Sequence, residues 1–155
     1  MLQAFGAFLP AWEAAVADAL PPTRRTWLAR RSRSAFLNRD LQALGVAQPA
    51  PVRLAAFRSP AAAWGSLYVL EGSALGGQVI TRGLAARGLL PHSGGAYFHG
   101  WGDATAAMWR EFRELLDTEL RHPDALAPAC EAACRTFETL SSLLEDHLHE
   151  RPALA

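Results

Sequence analysis

The sequence predicts an all-α fold in a single domain covering residues 1–155. Half of its residues are hydrophobic, Ala and Leu dominate, and β-branched residues are scarce, a composition that favours helices over sheets. Apolar residues also recur at helical spacing along most of the chain. A chain of this length can bury roughly 70 % of its unfolded surface in one core. The formal net charge is zero, so bulk electrostatics predict no particular partner.

The first predicted helix is Leu2–Leu20, whose apolar residues follow helical spacing. Pro10 is expected to kink it, because the ring removes one backbone hydrogen bond. Pro21 and Pro22 end it. The apolar pattern begins at once, with no capping residue before it, which favours a missing segment upstream.

The second predicted helix is Thr23–Leu44, with Thr23 as its N-cap and Gly45 as its C-terminal stop. Two interpretations of its many arginines stay open: a solvated basic face, which is favoured, or a site for anionic groups of a ligand or partner protein. Nucleic acid is disfavoured as a partner, because no aromatic interleaving or recognition motif accompanies the charge. The arginines are Arg24, Arg25, Arg30, Arg31, Arg33 and Arg39.

The third predicted helix follows a proline-containing connection, Gln48–Phe57. Ser59 is its expected N-cap and Pro60 its first residue. It extends to about Leu90, and the glycines in its interior predict a bend near the middle.

Two further helices complete the fold. Residues Leu90–Gly102 are rich in Gly and Pro and are predicted to form a loop. Asp103 is the expected cap of the fourth helix, which ends before Pro123. The fifth helix spans Asp124–His149, with Pro128 as a candidate break.

The chain is predicted to be cytoplasmic and free of membrane spans. Cys130 and Cys134 lie four residues apart, a spacing poorly suited to a disulfide or a zinc finger, so we expect buried thiols of a cytosolic protein. Between Arg58 and Arg82 the only formal charge is Glu71, but serines, Gln and glycines leave too little hydrophobicity for a span.

Four glycines lie inside the helical stretch Trp64–Ile80, namely Gly65, Gly72, Gly76 and Gly77. Each costs about 1 kcal/mol relative to Ala, hence on the order of 4 kcal/mol together. Two explanations are open. The GxxxG spacing could allow another helix to pack closely, or the bare backbone could form the wall of a slot for a flat cofactor.

The glycine stretch reads GxLYVLEGSxLGGQ and resembles the distal helix of bacterial haem oxygenases. The similarity is greatest to the biliverdin-producing branch that is associated with bacterial phytochromes. This resemblance favours the cofactor slot over simple helix packing. Matches extend over nearly the whole chain: Phe5–Val16 (FGAFLPAWEAAV), Asp40–Gly45 (DLQALG), the W-x-x-F of Trp109–Phe112, and the final helix segment Ala133–Leu144.

The resemblance implies an all-α fold in which haem, both cofactor and substrate, is clamped between a proximal and a distal helix. Gly72, Gly76 and Gly77 would let the distal backbone lie directly over the porphyrin and steer its oxidation toward a meso carbon. Gln78, the next residue of the motif, would support these glycines without contacting the haem. The implied products are biliverdin, iron and carbon monoxide, with electrons from a reductase and a bacterial phytochrome as biliverdin acceptor.

Other site residues follow from the same resemblance. Animal members carry an aspartate at the position of Ser73, whose hydroxyl can hold a water but cannot take up a proton at neutral pH. Arg110 and Arg113 are candidate partners of the haem propionates. Phe137 would supply apolar wall.

The family's iron ligand is a histidine on a helix upstream of the segment that matches Leu2–Leu20, so no metal ligand is assigned here. None of the five histidines matches that position: His92, His99, His122, His147 and His149. Three functions therefore stay open. The chain is a truncated haem oxygenase, a non-catalytic module that binds a tetrapyrrole or a partner, or a protein that uses the glycines for helix packing alone. In the first two cases an exposed apolar patch is expected.

Overall fold

A computed structural model describes the backbone of residues 1–149 and the side chains of residues 1–146. This part of the chain is helical with no strand, so the predicted all-α class is confirmed. Short 3₁₀ turns at Pro22–Arg24 and Gly102–Ala104 separate some of the helices. The α-helices are α1 (Leu2–Ala19), α2 (Arg25–Arg31), α3 (Ser34–Ala43), α4 (Pro60–Ala85), α5 (Ala96–His99), α6 (Thr105–Glu119) and α7 (Pro123–His149).

Helix α1 confirms the first predicted helix and contains Pro10 in its interior. Its buried side includes Phe8, Trp12 and Val16, which recur every four residues and so share one face. This face packs into the core between α3, α4 and α7.

The prediction of one continuous helix over Thr23–Leu44 is wrong, because the chain breaks into α2 and α3 at Ser32. Ser32 has an extended backbone (φ −63°, ψ 129°). Its hydroxyl donates to Glu13 on α1 at 2.8 Å and accepts from the Ser34 N–H at 3.3 Å. These local bonds compete with the helical ones, and the break leaves Arg33 buried.

The predicted ends of this region are half right. Thr23 does not cap a helix: Arg24 is the N-cap of α2 and makes no side-chain cap bond. Gly45 does follow α3, with the positive φ of +65° that glycine adopts without a steric penalty.

Helix α4 begins as predicted. The Ser59 hydroxyl accepts a hydrogen bond from the Ala62 N–H at 3.2 Å, and Pro60 is the first residue. The helix ends at Ala85, short of the predicted Leu90, because the backbone turns at Gly88 (φ +79°) and the Leu89 N–H bonds back to the Leu84 carbonyl at 3.0 Å.

Later elements differ from the prediction in detail. The predicted loop contains the short helix α5, and Asp103 is not a helix cap, because a 3₁₀ turn precedes α6 and Ala104 is its N-cap. Helix α6 ends before Pro123 as predicted. Helix α7 passes through Pro128 without a break.

Helix α4 is the centre of the fold and packs against α1, α5, α6 and α7. Its contact with α7 is the most extensive, and it uses the small residues Ala129 and Ala132, which are buried. Cys130 and Cys134 lie outside this contact and are exposed free thiols, so the prediction that they are buried is wrong. Of the described helices, none combines the length and apolarity that a membrane span requires.

Candidate functional site

One side of α4 is uncovered by the described residues. Tyr68, Gly72, Leu75, Gly76 and Val79 recur at spacings of three and four and therefore line one side of the helix; we call this side the glycine face. Its apolar side chains are exposed, by 47 % at Tyr68, 39 % at Leu75 and 64 % at Val79. Exposed apolar residues grouped in this way are typical of a surface that binds a ligand or another protein.

Gly72 and Gly76 form the middle of this face and are not used for helix packing by the described residues. A methyl group added at Gly76 would meet no atom within 4 Å, and one added at Gly72 would make only ordinary contact with the Trp109 ring at 3.6 Å. Close helix approach therefore does not explain this GxxxG pair.

The other two glycines are explained by packing. A side chain at Gly65 would overlap the backbone carbonyl of Ala129 on α7, and one at Gly77 would lie 2.6 Å from the Phe98 carbonyl oxygen on α5. Gly77, predicted to face the cofactor, thus turns its bare side toward α5. The four glycines of the stretch Trp64–Ile80 divide into two that let neighbours approach and two that leave the glycine face flat.

Aromatic residues flank the glycine face on the α6 side. The ring centroids of Tyr68 and Trp109 are 5.4 Å apart, and Trp109 stacks on the buried Phe112 at 5.6 Å. The guanidinium of Arg113 lies 5.8 Å from the centroid of the Trp109 ring. These contacts place α6, with its arginines, along the Tyr68 side of the glycine face.

Both arginines predicted to bind propionates lie beside the glycine face. Arg110 and Arg113 are exposed on α6, and together with Tyr68 they line an open cleft of about 410 Å³. Exposed arginines next to an apolar surface suit a flat apolar ligand with carboxylates at its edge. The cleft residues are Tyr68, Arg110, Arg113, Glu114, Leu116 and Asp117.

Ser73 lies at the rim of the glycine face, on the side away from Trp109. Its hydroxyl donates to the Leu70 carbonyl at 2.7 Å and accepts from Nη2 of Arg33 at 2.9 Å. The same Nη2 donates to the Leu70 carbonyl at 2.8 Å. A buried cation therefore stands directly behind the predicted catalytic serine.

A buried ion pair lies on the side of α4 that faces α6. Nη1 of Arg31 is 2.5 Å from Oε2 of Glu71, and Nη2 of Arg31 reaches Glu111 and the Met108 carbonyl, each at 3.0 Å. Burial raises the pKa of Glu71 above its usual value, and the charges of Arg31 and Arg33 oppose this shift. Glu71 thus faces the protein interior.

Neither interpretation of the arginines describes Arg31 and Arg33. Each is 7 % exposed and binds groups of this chain itself, so they form neither a solvated basic face nor a site for anionic groups of a ligand or partner. The solvated basic face holds for Arg25, Arg30 and Arg39, which are exposed. Glu71 carried the signal that the sequence analysis missed, because a lone acid in an apolar stretch is rarely buried without a paired cation.

Gln78 and Phe137 are not brought together with the glycine face by any described contact. The Gln78 amide donates to the His99 carbonyl and to the Thr105 hydroxyl, both at 3.3 Å, and so connects α4 to the start of α6. Phe137 lies on α7 and is 64 % exposed.

No histidine within residues 1–146 lies on the glycine face. His92 is exposed in the turn before α5, and the ring of His99 lies close to Gly102. The side chain of His122 is exposed, and its Nδ1 lies 3.5 Å from Oδ2 of Asp124. The side chains of His147 and His149 lie outside the described residues. Within the described residues there is no group of three or more side chains that could hold a metal ion.

A family model and a curated relative that match this chain carry the same description. Residues 12–146 match the family model described as Heme oxygenase. A curated protein named "Heme oxygenase", from Xanthomonas campestris pv. campestris (strain 8004), is 40 % identical over 112 residues. The match covers 72 % of this chain and 66 % of that relative, so the chain spans slightly less than two thirds of the relative's length. No solved structure matches the chain.

Proposed function

Because the chain belongs to the haem oxygenase family, we propose that its single domain binds haem and cleaves it with oxygen to biliverdin, iron and carbon monoxide. The observation that carries this proposal is the open glycine face. Gly72 and Gly76 lie side by side on it without a neighbour that requires them to be glycine.

The residues of this face fit haem. A flat macrocycle can approach the backbone closely only where side chains are missing, and Gly72 and Gly76 provide a bare strip of that kind. Tyr68, Leu75 and Val79 offer apolar contact around it. Arg110 and Arg113 lie at the edge of the face, where they would pair with propionates through charge-assisted hydrogen bonds.

Bound haem supplies the redox-active iron and the ring that is cleaved. The chain's own part is to hold that ring flat and to restrict which ring edge can react, by contact with Gly72 and Gly76. Ser73 holds a water at the rim, since its hydroxyl can bind a water by hydrogen bonding but cannot itself take up a proton at neutral pH. Gly77 and Gln78 do not contact the ring in this proposal; they hold α4 in place against α5 and α6. Phe137 is proposed as part of the apolar wall of the site.

We propose partners and location on the same basis. Electrons would come from a reductase, and a bacterial phytochrome would accept the biliverdin. A cytoplasmic location is supported by the two free thiols of Cys130 and Cys134, since exposed thiols persist in reducing compartments.

The first test is haemin binding by the wild-type chain and by Gly76→Leu. Imidazole is added as a nitrogen ligand, because none of the five histidines of this sequence matches the position of the family's iron ligand. Residue 76 has open space, so Gly76→Leu keeps the helical circular dichroism but fills the slot. We expect it to weaken haemin affinity at least tenfold, measured by titration of the Soret band.

Gly83→Leu is the matched control. Residue 83 is also open and helical, but it lies about 10 Å farther along α4, so Gly83→Leu should weaken haemin affinity less than Gly76→Leu does. Equal binding by the wild type and Gly76→Leu would refute the slot. Haemin binding without a green product after reduction in air would favour the non-catalytic tetrapyrrole-binding module.

A further inference from the structure

We propose that Arg33 is a positioning residue, which fixes the Ser73 hydroxyl so that Ser73 holds one oriented water over the glycine face. This inference rests on the proposed function and gives a separate role to one of the six arginines that the sequence analysis considered only as a group. The connection between the two residues is the hydrogen bond from Nη2 of Arg33 to the Ser73 hydroxyl oxygen.

Arg33 is held firmly in place. It is 7 % exposed, and its guanidinium lies 4.9 Å from the centroid of the Tyr97 ring, which is also buried. Its charge also acts on Glu71. A cation with these surroundings has few alternative positions, because leaving them would cost its charge-assisted bonds.

The hydrogen bonds that Ser73 already makes leave its hydroxyl able only to accept a further hydrogen bond from the glycine face. A serine hydroxyl has one hydrogen to donate and two lone pairs to accept with. The hydrogen is used by the Leu70 carbonyl, and one lone pair is used by Arg33. One lone pair remains, so any group that bonds to Ser73 from the glycine face must be a donor.

Water is the donor that fits. A water that donates one hydrogen to Ser73 has its second hydrogen free to point over Gly72 and Gly76. Without Arg33 the hydroxyl could rotate and donate outward instead, and the water would lose its fixed direction. Arg33 therefore determines the direction of the Ser73 hydroxyl, and through it the direction of the water, without contacting the ligand.

The experiment uses the wild-type chain reconstituted with haemin and imidazole, reduced, and exposed to carbon monoxide as a probe. A hydrogen-bond donor close to the probe's oxygen weakens the C–O bond, so the infrared C–O stretching frequency reports the oriented water. Ser73→Ala, which changes one exposed side chain, should shift this frequency upward. Arg33→Met should shift it in the same direction, while haemin affinity stays within twofold of the wild type's.

Two variants act as controls. Arg33→Lys retains a donor and should keep the frequency close to the wild-type value. Arg30→Met removes an exposed arginine two residues before the α2–α3 break and should leave the frequency unchanged. If Arg33→Met does not fold, Arg33→Gln takes its place: its side chain is too short to reach Ser73 from the same backbone position, so the frequency should shift upward as in Ser73→Ala, and an unchanged frequency would overturn the inference.

The possible failures are distinguishable. A wild-type chain with no Soret band would overturn the proposed function and this inference together. A normal Soret band with the same C–O frequency in the wild type, Ser73→Ala and Arg33→Met would overturn the inference alone. A shift in Ser73→Ala but not in folded Arg33→Met would show that Ser73 needs no positioning by Arg33.

Discussion

At the scale of single residues, buried charges give α4 its orientation. Glu71 is 9 % exposed, and Arg31 and Arg33 neutralise it from the α2–α3 break. A buried carboxylate that loses its cation leaves an uncompensated charge, which is more costly than the pair is stabilising. With Glu71 held inward, the residues on the other side of the helix, including Gly76, face outward.

We expect Arg31→Met to lower the free energy of unfolding by about 3–5 kcal/mol at pH 7, measured by urea denaturation. Arg30→Met, an exposed neighbour, should change it by less than about 0.5 kcal/mol. Equal effects of the two substitutions would contradict the role of the pair.

The cost of Arg31→Met should also depend on pH. The pKa of Glu71 is already raised by burial, and loss of Arg31 raises it further. For an acid with a raised folded-state pKa, stability is present below the unfolded value, 4.5, and is lost as the pH rises through the folded value. The destabilisation should therefore shrink as the pH falls toward 4.5.

At the scale of the element, α4 uses its glycines for two different purposes. Gly65 and Gly77 allow α7 and α5 to approach the backbone, whereas Gly72 and Gly76 leave the exposed side flat. The sequence motif does not distinguish these uses, because all four residues look alike in it. The neighbouring helices distinguish them.

Gly65→Ala and Gly83→Ala are a matched test of this division, since both add one methyl group to the interior of α4. At position 65 the methyl group overlaps the Ala129 backbone, so α7 must shift, and we expect a loss of about 1–3 kcal/mol in the free energy of unfolding. At position 83 no atom lies within 4 Å, so higher helix propensity should stabilise the protein by about 0.5–1 kcal/mol. Thermal and urea unfolding measure both, and stabilisation by Gly65→Ala would be inconsistent with the close crossing.

At the scale of the whole molecule, α4 packs against α1, α5, α6 and α7. Within the described residues, the apolar side chains of its glycine face stay exposed. The core is rich in aromatic residues, with Trp27, Trp64 and Phe112 in mutual contact beside it. A rigid helix with one apolar side left open is suited to hold a flat ligand in a defined orientation.

Haemin should therefore stabilise the folded chain by mass action. At a free concentration of 100 times its Kd, the expected gain in the free energy of unfolding is about 2.7 kcal/mol, read as an increase in Tm that grows with haemin concentration. Gly76→Leu at the same haemin concentration should show little of this gain. The same Tm increase in both proteins would indicate binding elsewhere on the surface.

The sequence by itself determined the helical class, the start of α4 at Ser59, the stop after α3 at Gly45 and the glycine stretch, because these depend on local propensity, capping and spacing. Only the tertiary structure decided which glycines face a neighbour, that Ser32 breaks the second helix, and that Arg31 and Arg33 are buried while Cys130 and Cys134 are not. Such outcomes depend on contacts between residues far apart in sequence. A one-dimensional pattern specifies which sides of a helix are apolar or small, but the packing of the other helices decides which of those sides is covered.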